Sequence, residues 1–142
     1  MTGMTKTIFL VPLVISVLAG CATDPVPTSL ARPAPESRIH DKSAAIPRPD
    51  YGQVTVKRDS GITGSGCNIQ VFLNGNLSAE LAPSEKVNFY LPEGTHIVSA
   101  WPNNPCGGGM TEVEAKATAS KPITFRIGYG GPGDFGIYPT AF

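Results

Sequence analysis

The chain has no block of like charge. Its 11 Lys and Arg residues balance 11 Asp and Glu, and charged residues make up only 15% of the whole. Nothing in it marks an electrostatic footprint for nucleic acid or for a strongly acidic partner. Cysteine and histidine are scarce, 3 and 2 residues, and no Cys-x-x-Cys or His-x₃-His spacing joins them, so the usual signature of a metal site is missing. Long apolar runs are missing too. The stretch Ile8–Val17 spans 10 residues and contains Pro12, about half of what crosses a hydrocarbon core. No segment offers a sustained helical stripe. What remains is a one-domain length of 142 residues, in which 16 Gly and 14 Pro favour turns and short strands.

Residues 1–20 read as an export signal. Lys6 forms a short basic region ahead of the apolar Ile8–Val17 stretch. The four residues that follow, Leu18-Ala19-Gly20-Cys21, resemble the lipobox of bacterial lipoproteins. The resemblance implies that Leu18, Ala19 and Gly20 present the bond to a signal peptidase. It also implies that the Cys21 thiol takes a diacylglyceryl group and that Cys21 becomes the acylated first residue of the mature chain. Several acyl chains anchor a protein stably, where one myristoyl chain is marginal. An ordinary signal peptide followed by a chance cysteine is the alternative. The next residue is Ala22, not Asp; in lipoproteins of enteric bacteria this implies transfer to the outer membrane. The expected location is therefore the periplasmic face of the outer membrane, with the membrane engaged through the N-terminal lipid.

Residues 21–49 predict a lipidated N-terminus and a disordered tether. Six prolines fall between Ala22 and Pro49, with few large apolar residues and no sustained periodicity. Fully extended, such a segment reaches on the order of 80 Å. His40 belongs to it and is expected to be solvated.

From residue 50 to 142 period-two alternation recurs. Val54 and Val56 alternate with Thr55 and Lys57, and Cys67, Ile69, Val71 and Leu73 share a face. Val87, Phe89 and Leu91 do likewise, as do Val113, Ala115 and Ala117, and then Ile123, Phe125 and Ile127. Asn74-Gly75 is the strongest short hairpin signal, and Pro92-Glu93-Gly94 suits a tight reversal. The prediction is an all-β domain, a small antiparallel β-sandwich of about seven short strands. The run from Cys67 to Trp101, "CNIQVFLNGNLSAELAPSEKVNFYLPEGTHIVSAW", resembles the PEGA and related small bacterial β-sandwich domains. That resemblance implies a surface or periplasmic module that binds, packs or spaces. The "PNNPCGGG" segment after Trp101 departs from the family's short aromatic-glycine segment.

With Cys21 lipidated, Cys67 and Cys106 remain, and an even remainder in an exported chain predicts one disulfide. Closing a loop of about 40 residues stabilises by about 4 kcal/mol on the chain-entropy model. A metal site of Cys67, Cys106 and His96 is the competing assignment, without supporting spacing. No catalytic residue is identified. Gly61–Cys67, "GITGSGC", has neither the Lys-Ser/Thr of a phosphate cradle nor the G-x-S-x-G of a nucleophile elbow. His96 has no sequence context that links it to Asp59 or Asp134.

The final segment is rich in glycine and aromatics. Tyr129, Phe135, Tyr138 and Phe142, together with Trp101, are the candidate interaction surface, with packing as a last edge strand the plainer alternative. The whole predicts a non-enzymatic, lipid-anchored envelope protein, without cofactor or metal, that serves as an accessory subunit and contacts an envelope partner. A periplasmic small-ligand binder is the alternative and would need a cleft lined by Trp101 and Tyr129. A hydrolytic enzyme would need polar groups converging in such a cleft.

Overall fold

Alternation of apolar and polar residues, broken by glycine and proline, builds strands of five to nine residues from residue 51 onward. The computed structural model describes residues 22–142; the expected export signal and the Leu18–Cys21 motif lie outside the described residues. Strand β1 is Arg32–Pro33, β2 Tyr51–Arg58, β3 Ile69–Leu73, β4 Asn76–Leu81 and β5 Glu85–Pro92. They are followed by β6 Gly94–Pro102, β7 Thr111–Ala117, β8 Ile123–Tyr129 and β9 Phe135–Pro139. A five-stranded sheet, β1-β5-β2-β8-β9, faces a four-stranded sheet, β4-β3-β6-β7. The molecule is the expected small all-β sandwich, and no α-helix occurs among the described residues.

The faces that alternation assigned inward form the core. Val54, Val56, Ile69, Val71, Phe89, Val98, Ala115 and Ile127 are all fully buried. Asn74 (φ 49°) and Gly75 (φ 83°) make the two-residue hairpin between β3 and β4, both in the left-handed region that such a turn requires. The Pro92–Gly94 reversal is present as well, with Gly94 at φ 134°. It is a corner and not a hairpin, since β5 and β6 belong to different sheets.

Two pairings depart from the all-antiparallel expectation: β2 runs parallel to β8, and β1 parallel to β5. Between β2 and β8 the chain passes twice through the other sheet, with β5 between the two passages, so no local turn signal announces that pair.

The largest correction concerns residues 22–49, which do not form a disordered tether. Thr23 N–H donates to Tyr129 O at 2.9 Å, and Asp24 and Ser60 exchange both backbone bonds at 2.9 Å. The segment then crosses the outer face of the five-stranded sheet near the ends of β8 and β2. Strand β1 pairs with β5, and His40 N–H donates to Ser78 O at 2.9 Å, the two closing the seam between β5 and β4. Ala34 is buried in the core, with Ile39 and Ala44 packed against it. The segment is covered on one side by sandwich residues, and its backbone groups find partners there; this is what prolines alone do not reveal.

Ile39→Asp should therefore lower stability by about 2 kcal/mol in chemical denaturation, through lost burial and an unpaired carboxylate. In a solvated tether the same change would be neutral to within about 0.5 kcal/mol.

Candidate functional site

One end of the sandwich gathers the loops 59–67, 102–110 and 130–134 together with Thr23 and Asp24. The strand directions place them there, because β2, β6 and β8 end at this end while β3, β7 and β9 start from it. The expected disulfide is formed: Cys67 and Cys106 are joined across a separation of 39 residues, with Cα atoms 6.1 Å apart. Arg58 holds the rest. Its parity with Val54 and Val56 points it inward, where Nη1 donates to the carbonyls of Cys67 (2.5 Å) and Leu81 (2.8 Å) and Nη2 to that of Gly64 (2.7 Å). The Tyr129 hydroxyl donates to Gly107 O at 3.1 Å, and its ring lies against Gly64, where even a methyl group would clash at 2.6 Å. "GITGSGC" is thus a fastened structural loop.

The five candidate surface aromatics do not form one surface. Tyr129 is only 8% exposed and belongs to the loop scaffold, so its assignment to the surface is corrected; burial pushes its phenol above the ordinary value. Phe135 packs on it at 5.2 Å, half-buried. Tyr138 and Phe142 are exposed and cover cations: Arg126 lies 5.4 Å from the Tyr138 ring and Lys57 Nζ lies 5.3 Å from the Phe142 ring. They lie on the five-stranded sheet's side, in agreement with the edge-covering alternative. Trp101 stands alone on the opposite sheet. It is 45% exposed on the outer face of β6, on the same side as the exposed Ile97, and Phe72 on the adjoining β3 shares that face.

Trp101 and Tyr129 line different depressions, one of about 180 Å³ by Trp101, Gln70 and Asn103 and one of about 380 Å³ by Tyr129, Gly64 and Gly107, which meet at Cys106 and Gly108. A broader groove, about 670 Å³, lies elsewhere, along the open seam where β7 faces β8 and the end of β9. Val113, Ile123, Phe125 and Pro139 supply its apolar wall, with Lys116 and Lys121 among its polar residues.

A polar cluster that the alternation pattern assigned to solvent lies under the N-terminal segment. Lys57 is fully buried. Its ammonium donates to Val26 O at 2.5 Å and to the main-chain oxygen of Phe142. Lys86 Nζ reaches Thr28 O at 2.6 Å. Asp59, 2% exposed, accepts from Arg126 Nη1 at 2.5 Å and Thr23 Oγ1 at 3.1 Å, while its Oδ1 has no partner. Burial raises the Asp59 carboxyl above its ordinary range, against the opposing pull of Arg126 and Thr23, and burial lowers the Lys57 ammonium. Neither Lys57 nor Asp59 lines any of these depressions, so the arrangement fits holding a segment in place better than chemistry on a substrate.

His96 sits at the far end of β6, where Nε2–H donates to Pro92 O (2.8 Å) and Nδ1 accepts from Asn74 Nδ2 (3.0 Å). It latches two turns together, remote from the sulfurs. Among the described residues no three His, Cys, Asp or Glu side chains converge as metal ligands. No family model, curated protein or solved structure matches this chain.

Arg58→Met should cost at least about 3 kcal/mol, because it leaves three buried carbonyls without their donor; equilibrium unfolding measures it. Asp59 gives a signed pH effect. A carboxyl raised in the fold above its ordinary 3.8 binds its proton more tightly folded than unfolded. Its contribution to stability is fully present below pH 3.8 and is lost as pH rises through the folded value. Asp59→Asn should flatten that fall in a plot of Tm against pH.

Proposed function

We propose that the chain is a lipid-anchored envelope protein whose sandwich is an interaction module, an accessory subunit on the periplasmic face of the outer membrane. Cys21 is its acylated first residue in this reading, as the Leu18-Ala19-Gly20-Cys21 motif implies. One observation carries the interaction role: the two sheets are treated differently on their outer faces. The five-stranded sheet is crossed by the N-terminal segment and capped by Tyr138 and Phe142. The four-stranded sheet leaves Trp101 and Ile97 exposed on a shallow surface, with Phe72 beside them. An accessible indole with Ile97 and Phe72 on the same face, bordered by Gln70, Glu112 and Glu114, suits a protein partner, and the small depression beside it is a poor fit for an enclosed ligand.

In-cell crosslinking followed by purification in mild detergent should recover a stoichiometric envelope partner. Trp101→Glu should reduce that recovery at least tenfold, with Tm unchanged within about 2 °C because the side chain is half-exposed. A partner retained undiminished by Trp101→Glu, or no partner at all, would contradict the reading.

A further inference from the structure

We infer that the sandwich sits end-on against the bilayer, with the 59–67 loop and Ile62 at its apex seated in the lipid interface. This deepens, and rests on, the reading of Cys21 as the lipidated residue. The inference comes from how little chain separates that residue from the fold. Thr23 is fastened at both its backbone and its side chain: its N–H donates to Tyr129 O, and its Oγ1 accepts from Tyr129 N–H at 2.8 Å and donates to Asp59. Two Cα–Cα steps span at most about 7.6 Å, so Cys21 Cα lies within that distance of Thr23 Cα, and only the cysteine side chain and the glyceryl linkage separate it from the acyl chains. A spacer of the kind the proline content predicted does not exist. Whatever part of the domain surrounds Thr23 is carried to the membrane surface.

The surroundings suit that place. Ser60 exchanges backbone bonds with Asp24, and Gly61 lies close enough that an added Cβ would be 3.4 Å from Thr23 Cα. The next residue, Ile62, is 91% exposed, the most exposed large apolar side chain among the described residues. Met110, 47% exposed, stands at the same end, just before β7. The three loops there, "DSGITGSGC", "PNNPCGGGM" and "GGPGD", contain no lysine or arginine. Small residues allow the backbone to approach the headgroups closely, and the absence of cations means that anionic lipid gives no added attraction. The seat rests on the covalent lipid and on Ile62, with the exposed carboxylates of Asp24 and Asp134 at the same end, and the strands then stand away from the membrane, leaving the Trp101 face free at the side.

The test uses full-length lipidated protein, purified from membranes, in vesicles of plain or brominated phosphatidylcholine. Trp101 is the single tryptophan, so Ile62→Trp in a Trp101→Phe background reports from the apex alone. Its emission should fall at least twofold in brominated vesicles, equally at low and high salt. Inserting about ten Gly/Ser residues between Ala22 and Thr23 should remove most of that quenching. Protein that floats with the vesicles and shows the acylated mass, yet is not quenched, overturns the end-on seat and leaves the anchor standing. Protein that lacks the acyl mass and floats no better than Cys21→Ala overturns the anchor reading, and the seat with it. Quenching that persists after the insertion shows an intrinsic affinity of the Ile62 loop and still supports the seat.

Discussion

The buried ammonium of Lys57 organises one side of this molecule. Strand β2 is central in the five-stranded sheet and is covered on both faces, although its sequence alternates Val54 and Val56 with Thr55 and Lys57. A buried lysine needs acceptors for its protons, and an isolated one would be costly. The acceptors are main-chain oxygens of Val26 and Phe142, with the Phe142 ring over the charge. Lys86 does the same with Thr28, and Asp59 answers Arg126 and Thr23. A proline-rich segment is well suited to this role, since its carbonyls remain available where proline supplies no N–H. The polar outer face thus selects what covers it, and it selects the segment that leads toward Cys21.

The same segment makes the two seams of the sandwich unequal. Between β5 and β4, Ala34, Ile39 and Ala44 fill the gap and β1 covers the edge. Between β7 and β9 nothing comparable is present among the described residues, and a groove of about 670 Å³ follows the junction. The charges on β7, Glu112, Glu114 and Lys116, are of the kind that keep an open edge from pairing with other chains. Closed on one side and open on the other, the domain presents Trp101 and Ile97 on the outer face of the four-stranded sheet, with Glu112 and Glu114 of β7 beside them.

Much of the fold was legible from residue order because its causes are local. Period-two apolar residues placed Val54, Ile69, Val71, Phe89 and Ile127 inward, Asn74-Gly75 announced its hairpin, and counting cysteines paired Cys67 with Cys106. The misses have non-local causes. Val54 pairs in parallel with Ile123 across a chain excursion through the other sheet. Ala34, Ile39 and Ala44 reach the core singly, without the spacing of a strand or a helix, from a segment whose prolines resemble those of linkers. Arg58 is intermediate: it shares the parity of Val54 and Val56, but the three carbonyls that hold its charge inside come from distant positions in the chain or from a loop without periodicity. Of the candidate aromatics Trp101, Tyr138 and Phe142 are exposed while Tyr129 is buried, because a ring's exposure depends on what the rest of the fold brings to it.

The closed seam and the cover over Lys57 both require residues 23–45 to be part of the folded unit. Native-state hydrogen exchange on the full-length protein tests this most directly. The amides of Thr23, Ala34 and His40, which donate to Tyr129, Lys86 and Ser78, should exchange at least a hundredfold more slowly than in an unfolded chain and lose protection together with the edge strands. Exchange of all three at unfolded-chain rates, with the sandwich still protected, would mean a loose tether and would contradict the account.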